Sequence, residues 1–154
     1  MSTAGRPLGR LRPVRRRGDK GDGMRVTTFS AGPDGESRFS EVEIDLPHER
    51  SDAFGHTIAS SPTFTSPRAQ FVVLPAGLDQ DWHPAPRRQL VTILTGRVEV
   101  ATPDGQQRGF GPGEVFLADD VDTRGHQTRT IGGGATIFVA PVPDGGEVWS
   151  APEG

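Results

Sequence analysis

The sequence contains no cysteine, and that one absence excludes disulfides, thiolate metal ligands and cysteine nucleophiles together. Oxygen and imidazole chemistry is what remains. No apolar run approaches the roughly 18 residues needed to cross a bilayer, and the first residues lack the apolar core of a secretory signal. A cytoplasmic location without membrane attachment is the expectation. A helical hydrophobic period is also missing along the chain, and the absence of a helix-turn-helix or other appended domain argues against a transcription factor.

What is present points to strands. Among 154 residues there are 21 Gly and 14 Pro, and they punctuate short segments rich in Val, Ile, Thr and Phe. The length fits one domain able to bury its own core. Charge is unevenly placed. Residues 1–23 carry seven basic side chains against Asp19 and Asp22, a balance of +5, and the chain total is -3, so the remainder is -8. An acidic body argues against a nucleic-acid-binding surface, and the Arg-, Gly- and Pro-rich first 23 residues read as a disordered, solvated tail.

From Met24 onward the alternation is that of strands. MRVTTFS and RFSEVEIDLP are expected as the outer strands of a sheet, joined by the turn AGPDGES. HERSDAFGHTIASSPTFTSP reads as an irregular connection placed to fold over a pocket mouth, with His48 and His56 as solvated surface residues, or else as ligands or lid residues. QFVVLPAG and RQLVTILTG follow as strands, and RVEVATPDGQQRGFG as a hairpin turning at Asp104-Gly105. GEVFLADD and QTRTIGGGATIFVAPV complete an all-β sandwich or barrel over residues 24–154.

Two stretches carry a family resemblance. Gly77, His83, Ala85, Gln89 and Gly96 are spaced as in the first cupin motif, where Gly, His, His, Glu and Gly stand at those places. Pro112-Gly113 opens a strand that runs to Asp119-Asp120 and leads to Gly125-His126, which resembles the second motif, with His126 or Arg124 in the place of its histidine. The resemblance covers roughly Phe71 to Val139. It implies a single cupin jelly-roll β-barrel with a central cavity.

It also implies a site. In metal-bearing cupins the two His and the Glu of the first motif and the His of the second hold a divalent ion, and by position these become His83, Ala85, Gln89 and His126. A methyl group cannot coordinate, and an amide oxygen is a weaker donor than a carboxylate. One divalent ion (Fe, Mn, Ni, Cu or Zn) held by His83, Gln89 and His126 stays open, with the metal-free site slightly favoured. Either way His83, His126 and Gln89 are the catalytic candidates. The implied activity is isomerase, cyclase or dioxygenase chemistry on a small molecule, with a non-catalytic ligand-binding or sensing module as the alternative.

Alternation along RQLVTILTG puts Gln89, Val91 and Ile93 on one face, expected to line the cavity. Phe71, Trp82, Phe116 and Phe138 complete the expected wall, and Arg88, beside Arg87, stands where a pocket rim would suit a carboxylate or phosphate, or simply on a solvated turn. Asp81, Asp119, Asp120 and Asp122 are candidates to orient an imidazole. A homodimer paired through outer sheets is the expected assembly, and Trp149 is expected to plug one end of the barrel or pack at the dimer seam.

Overall fold

The computed structural model describes residues 23–143 and the backbone of Trp149 and Ser150. The basic tail expected over residues 1–23 lies outside these but for Gly23, and so do the side chain and suggested roles of Trp149. Among the described residues there is no helix, and none long and apolar enough to cross a membrane. The strands are β1 (Gly23–Ala31), β2 (Ser37–Asp45), β3 (His48–Ser51), β4 (Thr57–Ser60), β5 (Gln70–Leu74), β6 (Asp79–His83) and β7 (Gln89–Thr95). They continue with β8 (Val98–Ala101), β9 (Gln107–Phe110), β10 (Val115–Asp119), β11 (His126–Thr130), β12 (Ala135–Pro141) and β13 (Trp149–Ser150).

Seven strands form one sheet in the order β13-β2-β1-β10-β7-β12-β5, and four form a second in the order β6-β11-β8-β9. This is the all-β jelly-roll arrangement. The two sheets are not hydrogen-bonded into one closed ring among the described residues. β1 stands inside the large sheet, paired in parallel with β10 and antiparallel with β2, rather than at its outer edge.

Register settles which side chains meet. Phe116 stands opposite Val91, Val139 opposite Val91 on the other side, and Val72 opposite Ile137, so these side chains share the face turned toward the small sheet. With Phe29, Ile93, Val98, Val100 and Phe110 they make the main core. Each large apolar side chain buried there contributes about 1.5–3 kcal/mol. The opposite face of the large sheet carries a second cluster, Val26, Val42, Ile44, Val115, Leu117 and Val142, against which Phe64 and Leu90 pack.

The segment after β2 departs from its sequence reading. It forms a separate hairpin, His48 through Ser51 pairing with Thr57 through Ser60. Its turn is closed by Asp52, whose carboxylate accepts the Phe54 and His56 backbone N–H groups and lies 3.0 Å from His56 Nδ1. His56 is therefore a turn fastener, and none of residues 48–60 lines the cavity described below. The expected turn at Asp104-Gly105 does join β8 and β9, with Gly105 at φ +88°.

Candidate functional site

His83 ends β6 and His126 begins β11, and the two stand directly opposite each other in the antiparallel pair. Their rings are 4.6 Å apart between centroids, inclined at 52°. Simple alternation would not give this. Gln80 and His83 are an odd number of residues apart, yet both line the same cavity. The pairing supplies the reason: Thr128 faces Gln80 but His126 faces His83, so β6 holds one extra residue in this interval, and the bulge turns His83 inward.

Close approach depends on Gly125. It sits at φ +100°, and a Cβ there would lie 2.0 Å from the carbonyl carbon and oxygen of His83. Only the absence of a side chain lets the β11 entry lie against the end of β6.

Both imidazoles are fixed through Nδ1. His83 Nδ1 is 2.6 Å from the backbone oxygen of Asp81; a carbonyl only accepts, so this nitrogen carries the proton. His126 Nδ1 donates to Asp120 Oδ2 at 2.8 Å, and Asp120 Oδ1 accepts the backbone N–H of Ala85 at 2.9 Å. Asp120 is 0% exposed and His126 6%. Asp120 is therefore the orienting carboxylate among the four candidates. Its own backbone oxygen takes the N–H and hydroxyl of Thr123, whose oxygen receives the Gly125 N–H. The loop between β10 and β11 is thus a continuous hydrogen-bonded brace. Phe29 closes it from the large sheet, its ring 4.5 Å from that of His126.

Asp81 has a different task. Its carboxylate accepts the Trp82 N–H at 2.8 Å and the Gln127 amide at 3.2 Å. Those two bonds, the backbone one first, hold it below the usual carboxylate value.

The two rings lie in the wall of a cavity of about 140 Å³, with Ala85, Gln89, Val91, Phe116, Ile137 and Val139 among its lining. A cavity near 150 Å³ accepts a benzene-sized guest. Gln89 also borders a wider space of about 500 Å³, which shares Pro86, Ile137 and Val139 with the cavity and adds Arg68, Gln70 and Arg87. The Gln89 amide makes no hydrogen bond to another residue among those described, so it is available to a ligand at the junction of the two spaces.

Other expected wall residues lie elsewhere. Phe71 and Phe138 face each other across β5 and β12 with rings 5.0 Å apart, on the side of the large sheet turned away from the cavity, and Phe71 is 71% exposed. Being immediate chain neighbours of Val72 and Ile137, which point inward, they point outward. Ile93 shares the inner face but is buried deeper in the core. Trp82 is covered by the guanidinium of Arg124, 4.9 Å from its ring, which also takes Arg124 away from the cavity. Arg88 pairs with Asp119 at 3.2 Å and donates to the Pro143 oxygen at 2.8 Å, so it braces β7 against β10 instead of forming a rim. Arg68, Gln80, Thr128 and Val139 were not singled out by the sequence; a loop position and the far strands of two sheets give no local signal of convergence.

The donor set is poor for a resident divalent ion. No group of three or more His, Asp or Glu side chains gathers for one among the described residues. The place of the missing imidazole is a methyl, Ala85, and the nearest carboxylate, Asp120, spends both oxygens on Ala85 and His126. Two imidazoles and a neutral amide are a weaker donor set than the three imidazoles and a carboxylate that the resemblance implies.

No protein-family model and no curated protein matches the sequence. Several solved structures are similar in shape. The DMSP lyase DddQ of Ruegeria pomeroyi is 28% identical over 56% of this chain and 44% of its own, with a TM-score of 0.42. The Cnp3 cupin domain of Schizosaccharomyces pombe is 17% identical over 78% of this chain and 84% of its own, also at 0.42. The dTDP-6-deoxy-D-glucose-3,5-epimerase RmlC of Legionella pneumophila is 15% identical over 82% and 77%, at 0.36.

Proposed function

We propose that this chain is a metal-independent acid–base catalyst acting on a small enolisable molecule, with His83 and His126 as the proton-transferring pair. The observation that carries the reading is that both Nδ1 atoms are committed to acceptors, so that the two Nε2 atoms remain for chemistry on one cavity. His126 Nε2 removes a proton from the carbon next to a carbonyl, and the positive charge so acquired lies beside the Asp120 carboxylate. The electron pair moves to the carbonyl oxygen, toward which the Gln89 amide N–H donates. His83, entering as the imidazolium with a proton on each ring nitrogen, returns its Nε2 proton either to a second carbon, an isomerisation, or to the opposite face of the same carbon, an epimerisation. The two rings then regain their starting protonation by exchange with water. Apolar walls from Val91, Phe116, Ile137 and Val139 keep water from competing.

The departure at Ala85 and Gln89 equally suits a second reading, a binding module that holds its ligand unchanged. The test uses a panel of small keto acids and keto sugars in D2O. Deuterium entering the carbon next to the carbonyl, abolished by His126→Gln and undiminished after chelation, is the outcome expected of the catalyst. Ligands recovered without deuterium, yet bound, would replace it with the module; exchange that vanishes with chelator and returns with a divalent ion would overturn the metal-independent step.

A further inference from the structure

We infer that the wider space outside the cavity is an oxyanion subsite, and that the molecule this protein takes carries a carboxylate or phosphoryl group read by Arg68 and Arg87. The inference deepens the preceding reading by naming the substrate class, and it rests on the cavity being the ligand site.

Three observations converge on it. Arg68 and Arg87 line the same space of about 500 Å³, and that space contains no acidic side chain among its lining residues. Neither guanidinium has an ion pair, hydrogen bond or ring partner among the described residues. Arg25, Arg38, Arg88, Arg124 and Arg129 each pair with a carboxylate. Arg50 and Arg97 have no such pair among the described residues either, but neither lines this space or the cavity, so what sets Arg68 and Arg87 apart is that they share one concavity. In a body whose formal charge is -8 beyond residue 23, two unneutralised cations in one concavity are a local reversal of sign.

Position gives the reversal a use. The space shares Pro86, Gln89 and Ile137 with the imidazole-lined cavity, so one elongated molecule can occupy both. The inner cavity accepts a fragment of about benzene size, and anything longer extends past Gln89 toward the arginines. A planar guanidinium binds an oxyanion through two parallel N–H bonds, which fixes direction as well as charge. Anchoring the anionic end there leaves the other end of the molecule beside Nε2 of His83 and His126.

The test measures binding, not turnover, on the full chain. Benzoate, its neutral isostere benzamide, and inorganic phosphate are titrated calorimetrically into the parent, Arg68→Gln, Arg87→Gln and the double variant. The expected result is that benzoate binds the parent more tightly than benzamide and loses about tenfold with each arginine removed, while benzamide does not change. Phosphate displacing benzoate more effectively than acetate does would assign a phosphoryl group, and the reverse a carboxylate. Benzoate binding the double variant as it binds the parent, or binding the parent no better than benzamide, would overturn the subsite. Running the same titrations on His126→Gln separates the two conclusions: unchanged benzoate affinity there, together with absent proton exchange in the parent, would leave the oxyanion subsite standing and remove only the catalyst.

Discussion

Asp120 and His126 form a buried carboxylate–imidazole pair 2.8 Å apart, and the same carboxylate fastens the backbone of Ala85 at 2.9 Å. One side chain thus joins the end of β10 to the segment between β6 and β7 and sets the direction of the ring beside the cavity. The fixed tautomer of His126 is a property of this contact and of nothing local to residues 125–127.

Asp120→Asn tests that directly. An amide oxygen can still accept from Ala85, but the amide N–H would face Nδ1 and drive the proton to Nε2. Turnover of any exchanging substrate should fall by about 10²–10⁴ with little change in KM, the range seen when an orienting carboxylate becomes an amide. Imidazole nitrogen shifts report the tautomer independently; an unchanged tautomer would show that Asp120 only packs.

Gly125→Ala should be among the most destabilising single-methyl changes in the chain. The methyl would need to displace the His83 carbonyl from 2.0 Å at a φ of +100°. A loss of about 3 kcal/mol or more is expected in urea unfolding. Full stability would mean that the β6 end and the β11 entry are not held together as described.

Phe29 is 0% exposed and touches the rings of Phe39, Phe116 and His126. Its replacement by Ala should cost about 3–5 kcal/mol, through lost burial and the cavity left behind. Phe29→Leu should cost less than half of that, yet still loosen the His126 ring, visible as broadening of its resonances.

Phe71→Ser should do neither. Its ring lies on the far side of the large sheet from the cavity, so ligand affinity should stay within about twofold and stability within about 1 kcal/mol. Ile137→Ala, one strand away but inward, should enlarge the cavity, weaken binding and cost about 2–5 kcal/mol.

Acid should destabilise the fold over a defined window. Asp34, Asp52, Asp81 and Asp104 are all held below the usual 3.8, the first three chiefly by backbone N–H donors and Asp104 chiefly by the Thr102 hydroxyl. A carboxyl group with a lower value in the folded state than in the unfolded one binds fewer protons when folded. Its contribution is complete above about pH 5 and is lost as pH falls through 3.8 toward the folded value. Urea midpoints should therefore decline between pH 5 and pH 3, and less steeply in Asp52→Asn and Asp81→Asn; equal slopes in parent and variants would refute the assignment.

Much of the fold was readable because it depends on short-range pattern. β1, β2 and β7 fall within segments that alternate, β8, β10 and β12 within short apolar segments bounded by turn residues, and the turn at Gly105 that leads from β8 into β9 follows from Asp-Gly. The β3–β4 hairpin was not legible, since its strands are polar and wholly or largely exposed, leaving no alternation to see. Phe71 and Phe138 were misplaced for a different reason. Alternation gives two faces without saying which one a second sheet will cover, and register with Val72 and Ile137 decides it.

The sequence by itself determined the chemistry available: no thiolate, and, through its resemblance to the two cupin motifs, His83, Gln89 and His126 as the polar candidates with the methyl of Ala85 at the place of an imidazole. Tertiary structure decided how those groups are used. The bulge in β6 turns His83 toward His126, the loop brace delivers Asp120 to Nδ1, and the fold spends Arg88 on Asp119 while leaving Arg68 and Arg87 beside the cavity. Residue types are local facts, but facing, pairing and burial arise between strands far apart in the chain, where only the packed sheets fix which atoms meet.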